Sequence, residues 1–487
     1  MKDAFAIKNC TILTVDGQDR VYEAGAMIVA DGRIRWIGPE EELEGQGWLE
    51  GKAGQAGQEP LEGNAGQERQ ERLDDKAGQE PGPDSWTVIA KDRIIDLKGH
   101  LVLPGLVNTH THSHSSVFRN LGDDMELMDW LNHAMWPAEK HLNPQIAYNA
   151  ARMTCLEFIR SGITTYADQF YFAEDVARAA SESGLNCYLA ASVFDWSTAE
   201  GGDSFEKAAD FVKHWHGRAG GTRVTPCIGP HAPYSVSGDL FKKVVDLADS
   251  YDLLIHTHIS ETEDENAQIM ERYGLSPVKW LESLGVFGQK VLAAHCIHLS
   301  EEDMDVFRTY NVHVSYNPVS NLKLVSGIMP MKAMKERGIQ ISIGTDGAQS
   351  NNSLDLLRDL RTGSLIQKML LHNAEFLPAR EAVRMATIEG ARALGCEGDR
   401  GSLEIGKKAD FIVMDTTSPR LVPLIRNRAD KLYAALVYSA LGADVCGMCV
   451  GGRWVMRERR VISMDAEDVT AQAQESGRYL GERAGLI

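Results

Sequence analysis

The sequence predicts an α/β protein: a (β/α)₈ TIM barrel beside a small composite β-sandwich formed by the N- and C-terminal segments. Three observations predict it. Short apolar strands alternate with amphipathic stretches from Leu101 to about Gly395. Both ends of the chain show strand-like alternation but are too short to make a sheet core alone. Several of the central strands end in histidine or aspartate.

The first forty residues read as strands and turns, Ala4–Val15 and Ala26–Ile37, punctuated by Asp16-Gly17 and Asp31-Gly32. From Leu43 to Trp86 the chain turns rich in Gly, Gln and Glu, with Ala-Gly-Gln at 53–55, 56–58, 65–67 and 77–79. Such a stretch has too little apolar surface to offset its ordering entropy, so residues 43–86 are expected to be a mobile insert. Strand character resumes at Thr87–Leu97.

Eight barrel strands are expected: Leu101–His112, Gly162–Phe170, Asn186–Phe194, Val224–His231, Leu253–Ser260, Val291–Leu299, Val312–Pro318 and Gln340–Gly347. Ile146, Ala150, Met153, Leu156 and Ile159 fit one face of an intervening helix. Eight such units suit a barrel of about 250 residues or more. A doubly wound sheet is the rival, but no Gly-rich phosphate loop follows the first strand. Gly401–Asp415 and Asp444–Met464 return to strand-like alternation. The expected division is 1–100 and 396–487 for the sandwich and 101–395 for the barrel.

A formal net charge of −19 disfavours nucleic-acid binding, which needs cations to neutralise phosphates. No run approaches the roughly 18 apolar residues of a membrane helix, and Met1–Asp16 lacks a signal-peptide core. The eight scattered cysteines point to the cytoplasm, and Cys446 and Cys449 read as ordinary strand positions. These features suit a soluble enzyme with a small-molecule substrate and are compatible with a homo-oligomer.

His110-Thr111-His112 follows an apolar strand, and residues two apart on a strand point the same way, so both imidazoles can reach one ion. His258, His295 and Asp346 sit near the ends of the fifth, sixth and eighth expected strands. Those ends converge on one mouth, where barrel enzymes keep their catalytic groups. The convergence therefore reads as a catalytic site able to hold a metal ion.

The stretch Val102-Leu103-Pro104-Gly105-Leu106-Val107-Asn108-Thr109-His110-Thr111-His112 resembles the opening signature of the amidohydrolase superfamily. Within it the chain is similar to the 5-methylthioadenosine/S-adenosylhomocysteine deaminases and their adenosine and 5′-deoxyadenosine deaminase relatives. The likeness continues through His231-Ala232-Pro233-Tyr234-Ser235, His258-Ile259-Ser260-Glu261-Thr262, Ala294-His295-Cys296, Asn317 to Leu324 and Gly344-Thr345-Asp346-Gly347-Ala348.

The resemblance implies that His110, His112, His258 and Asp346 bind one divalent ion, zinc in the first instance, with Fe²⁺ or Mn²⁺ as alternatives. It implies that Asp346 accepts a proton from the attacking water. Glu261 would protonate the ring nitrogen and help deliver a proton to the leaving amine, and His295 would hydrogen-bond the water and the tetrahedral intermediate. Val224 to Ser235 carries no lysine of the kind that bridges two ions in binuclear members, so one ion per chain is expected. Glu139 and His231 match substrate contacts, and Trp130 is expected to line the pocket beside them. Trp130 and Glu139 read equally well as a packing aromatic and a surface acid.

His256 is expected to face away from His258 and pack in the barrel wall, and His114 to line the pocket or hold its loop. Adenosylhomocysteine deaminases typically carry an arginine after the third strand, able to grip the substrate carboxylate; Leu189 to Asp195 has none. A second family arginine is replaced around Gly202-Asp203. An arginine introduced at Ala191 is expected to restore such a cation. The departure favours an uncharged 5′ group. The expected reaction is hydrolytic deamination of a 6-aminopurine nucleoside. The alternatives are an aminohydrolase or chlorohydrolase acting on an s-triazine, guanine or a pterin, and a catalytically silent barrel serving as a scaffold.

Overall fold

A computed structural model describes residues 4–46, 48, 89–125, 127–218 and 223–487. Two sheets organise it. The first is a parallel barrel sheet of eight strands in sequence order: Leu106–Thr111, Ile163–Phe170, Asn186–Val193, Val224–Pro230, Leu254–Ile259, Lys290–His295, His313–Tyr316 and Gln340–Ile343. The barrel closes between its last and first strands mainly through loops and side chains. Asp346 N–H donates to the His110 carbonyl at 3.0 Å, Thr109 Oγ1 to the Ile343 carbonyl at 2.9 Å, and Asn108 Nδ2 to Thr345 Oγ1 at 2.7 Å. Gly344 leaves room for this seam, since a Cβ there would come within 2.8 Å of the His110 main-chain nitrogen.

The expected first strand, Leu101–His112, is divided at Gly105. Leu101–Pro104 pairs with Phe411–Met414 and Phe5–Leu13 in the second sheet, and Leu106–Thr111 begins the barrel. A side chain at Gly105 would collide with Thr164, so the change of sheet happens at the one residue without a Cβ.

The second sheet is mixed and has nine strands. From one edge it runs Arg460–Val461, Arg453–Arg457, Val445–Val450, Phe411–Met414, Leu101–Pro104, Phe5–Leu13, Val21–Ala30 and Arg33–Pro39, with Ile94–Asp96 also paired to Phe5–Leu13. It folds onto itself: Arg33 bridges Lys408, and the Phe5 and Trp454 rings meet at 5.9 Å. Ile7, Ile12, Met27, Val29, Phe411 and Val413 fill the space between the layers. Cys446 and Cys449 lie on Val445–Val450 as free thiols.

Helices cover the barrel. Pro144–Ser161 starts with Asn143 accepting from Ile146 N–H, a cap worth about 1 kcal/mol, and buries Ile146, Ala150, Leu156 and Ile159. The C-terminal segment is not all sandwich. Ala466–Ala484 is a helix capped by Asp465, and it lies against Pro144–Ser161 through Arg152–Asp468 and Asn149–Ser476. Among the described residues no helix is long and apolar enough to cross a membrane.

Most of the 43–86 segment lies outside the described residues. Its first residues do not behave as an insert: Leu43, on the 3₁₀ helix Glu40–Gln46, is buried, and Trp48 packs in the same apolar cluster. Ile89 N–H donates to the Trp48 carbonyl at 2.6 Å, so the chain leaves and returns at one place.

Candidate active site

The structure brings the expected histidines and aspartate together at the C-terminal mouth of the barrel. One ring nitrogen each from His110, His112 and His258 lie within 4.8 Å of one another, and the same holds for one atom each of His110, His295 and Asp346. Asp346 Oδ1 is 3.4 Å from His110 Nε2 and 3.3 Å from His112 Nε2, and His112 Nε2 is 3.3 Å from His258 Nε2. Asp346 Oδ2 accepts from Ser320 Oγ at 2.6 Å and Ser350 Oγ at 2.9 Å, which turns Oδ1 towards the imidazoles.

Backbone conformation aims these groups. Asp346 (φ +59°) and His295 (φ +70°) occupy the left-handed region that side-chain-bearing residues rarely adopt. Conformations of that kind persist where surrounding bonds over-determine them, and they concentrate at functional sites.

Hydrogen bonds at Nδ1 sort the histidines. His112 Nδ1–H donates to the Gln169 carbonyl and His258 Nδ1–H to the His231 carbonyl, each at 2.7 Å. Their Nε2 lone pairs are thereby free for an ion. His295 is the reverse: Asn321 Nδ2 donates to its Nδ1 at 2.7 Å, leaving the hydrogen of the neutral ring on Nε2. His295 is set up as a donor. His110 Nε2 is buried without a hydrogen-bond partner, as a ligand atom facing a cation should be. Three imidazoles and a carboxylate around that atom fit a divalent ion.

The two carboxyls of the site are displaced in opposite directions. Burial alone would raise the Asp346 carboxyl, but the His110 ring against it and the other imidazoles around it outweigh burial and hold it well below its ordinary range. Burial pushes Glu261 up to about 8, and the Asp346 charge adds to the rise. Glu261 Oε2 lies 3.7 Å from His295 Nε2 and Oε1 accepts from Ser326 Oγ. The Glu261 N–H is held by Glu265 Oε2 at 2.9 Å, which fixes the loop carrying the acid. Burial lowers His295 to about 4, so its ring is neutral.

These groups form the floor of a cavity of about 770 Å³. Glu139, His231 and Trp130 all line it, with Tyr171, Phe194 and Trp196. His231 stacks on Phe194 at 4.7 Å, with its Nδ1 bonded to Ser235 Oγ. Glu139 is raised to about 7 by burial, partly offset by the Tyr171 hydroxyl donating to it at 3.3 Å. Lys140 is the lining cation, and no arginine lines the cavity among the described residues.

Two expectations are corrected. His256 does not face away from His258. Residues two apart on a strand share a face, and His256 Nε2 is 2.8 Å from His110 Nδ1, just under the cluster. Ala191 cannot deliver an introduced arginine to the cavity: it is buried in the layer between strands and helices, whereas Ser192 lines the pocket. His114 is buried and stacked on Phe170, which makes it part of the loop's support. Asn321 and Ser320 carry no expected role, although they stand on the short helix Pro318–Lys323 that follows the seventh strand, where such groups face the mouth.

An amidohydrolase family model matches residues 101–455. The chain belongs to the amidohydrolase family. It is 42% identical over 478 residues to a 5′-deoxyadenosine deaminase of Methanosarcina mazei, covering 98% of each chain. A 5-methylthioadenosine/S-adenosylhomocysteine deaminase of Pelotomaculum thermopropionicum is 38% identical, over 98% of this chain and 99% of its own. Among solved structures, an adenosine deaminase from Xanthomonas campestris with bound zinc superposes with a TM-score of 0.84 at 27% identity, covering 98% of both chains.

Proposed function

We propose that this amidohydrolase deaminates 6-aminopurine nucleosides by hydrolysis, releasing ammonia and the inosine analogue. Its substrates on this reading are methylthioadenosine, 5′-deoxyadenosine and adenosine, with S-adenosylhomocysteine the weakest. The observation that carries the reading is the convergence of His110, His112, His258 and Asp346 under one cavity, with Glu261 lining it 3.7 Å from His295; burial raises the Glu261 carboxyl while the imidazoles lower that of Asp346, as acid and base roles require. The names of the relatives support the same chemistry.

His110, His112, His258 and Asp346 would hold the ion, zinc by preference for three imidazoles and a carboxylate, with iron or manganese as alternatives. When bound, the ion supplies Lewis acidity that makes water nucleophilic near neutral pH. Asp346 takes a proton from the attacking water. Glu261 donates its proton to the ring nitrogen beside the reacting carbon, then helps return one to the leaving amine. His295 points Nε2–H at the oxygen that gains charge. Glu139 and His231, away from the reacting carbon, would take the sugar, and Trp130 the walls of the pocket. A carboxylate among aromatics favours a sugar-bearing substrate over a bare triazine, guanine or pterin.

The test is ammonia release by the metal-loaded protein from a panel of adenosines, guanine, pterins and s-triazines. Turnover of the adenosines should dominate. Preference for a heterocycle without a sugar would replace this reading with that of another aminohydrolase.

A further inference from the structure

His256 is a buried imidazole that the chemistry above does not use. It lies on the same strand as His258 and is 1% exposed. Its Nε2 is 2.8 Å from His110 Nδ1, with the rings edge to face at 82°. Its Nδ1 faces the Asp168 main-chain carbonyl without closing a full hydrogen bond. Gln169 Nε2 donates to the His256 carbonyl at 3.2 Å and steadies the strand.

We infer that His256 is a positioning residue, which sets the tautomer and direction of His110 by accepting its Nδ1–H. His112 and His258 achieve the same through main-chain carbonyls, which no substitution removes. His110 alone of the three relies on a side chain. With His256 Nε2 accepting, the His256 hydrogen sits on Nδ1 beside the Asp168 carbonyl, and His110 Nε2 is left as a bare lone pair in the cluster. Partners of this kind raise ligand basicity, and losing one costs roughly 10–100-fold in metal affinity or activity. The inference rests on the metal reading of the site.

The test compares His256→Gln with His256→Met in the full chain. The two side chains are close in size, but glutamine offers a strong oxygen acceptor and methionine only a weakly accepting thioether. Zinc affinity is read by competition with a chelator, and kcat and KM are read separately. Methionine should weaken zinc binding about 10–100-fold and lower kcat with KM little changed, while glutamine recovers most of both. Wild-type zinc affinity in the methionine variant would reduce His256 to packing. Equal losses in both variants would assign the effect to shape, and either result overturns the inference while leaving the metal site standing. A wild-type protein that binds no divalent ion overturns both. If His256→Met does not fold, His256→Phe, which lacks an acceptor, takes its place.

Discussion

Glu261 Oε2 and His295 Nε2 face each other at 3.7 Å, a protonated acid opposite a neutral donor. Glu261→Gln keeps the size and removes the transferable proton. Metal content should stay at the wild-type level while kcat falls by about 10²–10⁴. Near wild-type turnover would remove Glu261 from the acid–base role.

On the proposed reading Asp346 combines a ligand and a base in one side chain. Asp346→Ala should lose both the ion and activity, and the wild-type protein should hold about one ion per chain. Metal analysis by mass spectrometry checks both, and two tightly held ions per chain would contradict the single-site reading.

On the proposed reading Glu139 accepts hydrogen bonds from sugar hydroxyls, most strongly when ionised with both oxygens free to accept. Its carboxyl lies near 7, raised by burial, so it takes up a proton as pH falls through that value. KM should therefore rise below about pH 7 while kcat changes less. The Tyr171 hydroxyl favours the charged form, so Tyr171→Phe should move this limb to higher pH. A pH-independent KM between pH 5.5 and 8 (the range where Glu139 alone of the sugar contacts titrates) would remove it from binding.

Trp48 and Ile89 are joined carbonyl to amide, the relation of the first and last residues of a β-turn. Replacing residues 49–88 by Asn-Gly should leave a folded, active protein of nearly unchanged melting temperature. Cutting earlier, at residue 45, should lower the melting temperature, because it removes Trp48 from its cluster. Loss of activity without loss of stability in the shorter replacement would give the excised segment a part in catalysis.

No arginine lines the cavity among the described residues, which leaves Lys140 as the lining side chain of fixed positive charge for a carboxylate-bearing 5′ tail. S-adenosylhomocysteine should show a lower kcat/KM than methylthioadenosine or 5′-deoxyadenosine. Ser192→Arg, from a position that does line the cavity, should improve S-adenosylhomocysteine selectively, though modestly without supporting contacts. A wild-type preference for S-adenosylhomocysteine would assign Lys140 the carboxylate.

The barrel was legible because its strands are short, largely apolar runs, and in four of the eight His110, His112, His258, His295 and Asp346 stand at or just past the end. The break at Gly105 was not, since Leu101–His112 is apolar on both sides and only the approach of Thr164 forces the change of sheet. The C-terminal helix has its own signal in the sequence: Val469, Ala473, Ser476 and Leu480 recur at helical spacing and lie on its buried face. The partners of the histidines, His256 and Asn321 above all, come from elements distant in sequence and become visible only when the strands are side by side.

The division at Gly105 also orders events during synthesis. Leu101–Pro104 has its Phe5–Leu13 partner from the moment it is made, but its other edge waits for Phe411–Met414, some three hundred residues later. Until then the strand that leads directly into His110 presents an unpaired edge, the kind of surface that recruits foreign strands. The edge of residues 101–104 can therefore be closed only after all eight barrel strands have been synthesised, so the segment that leads into His110 completes its pairing last.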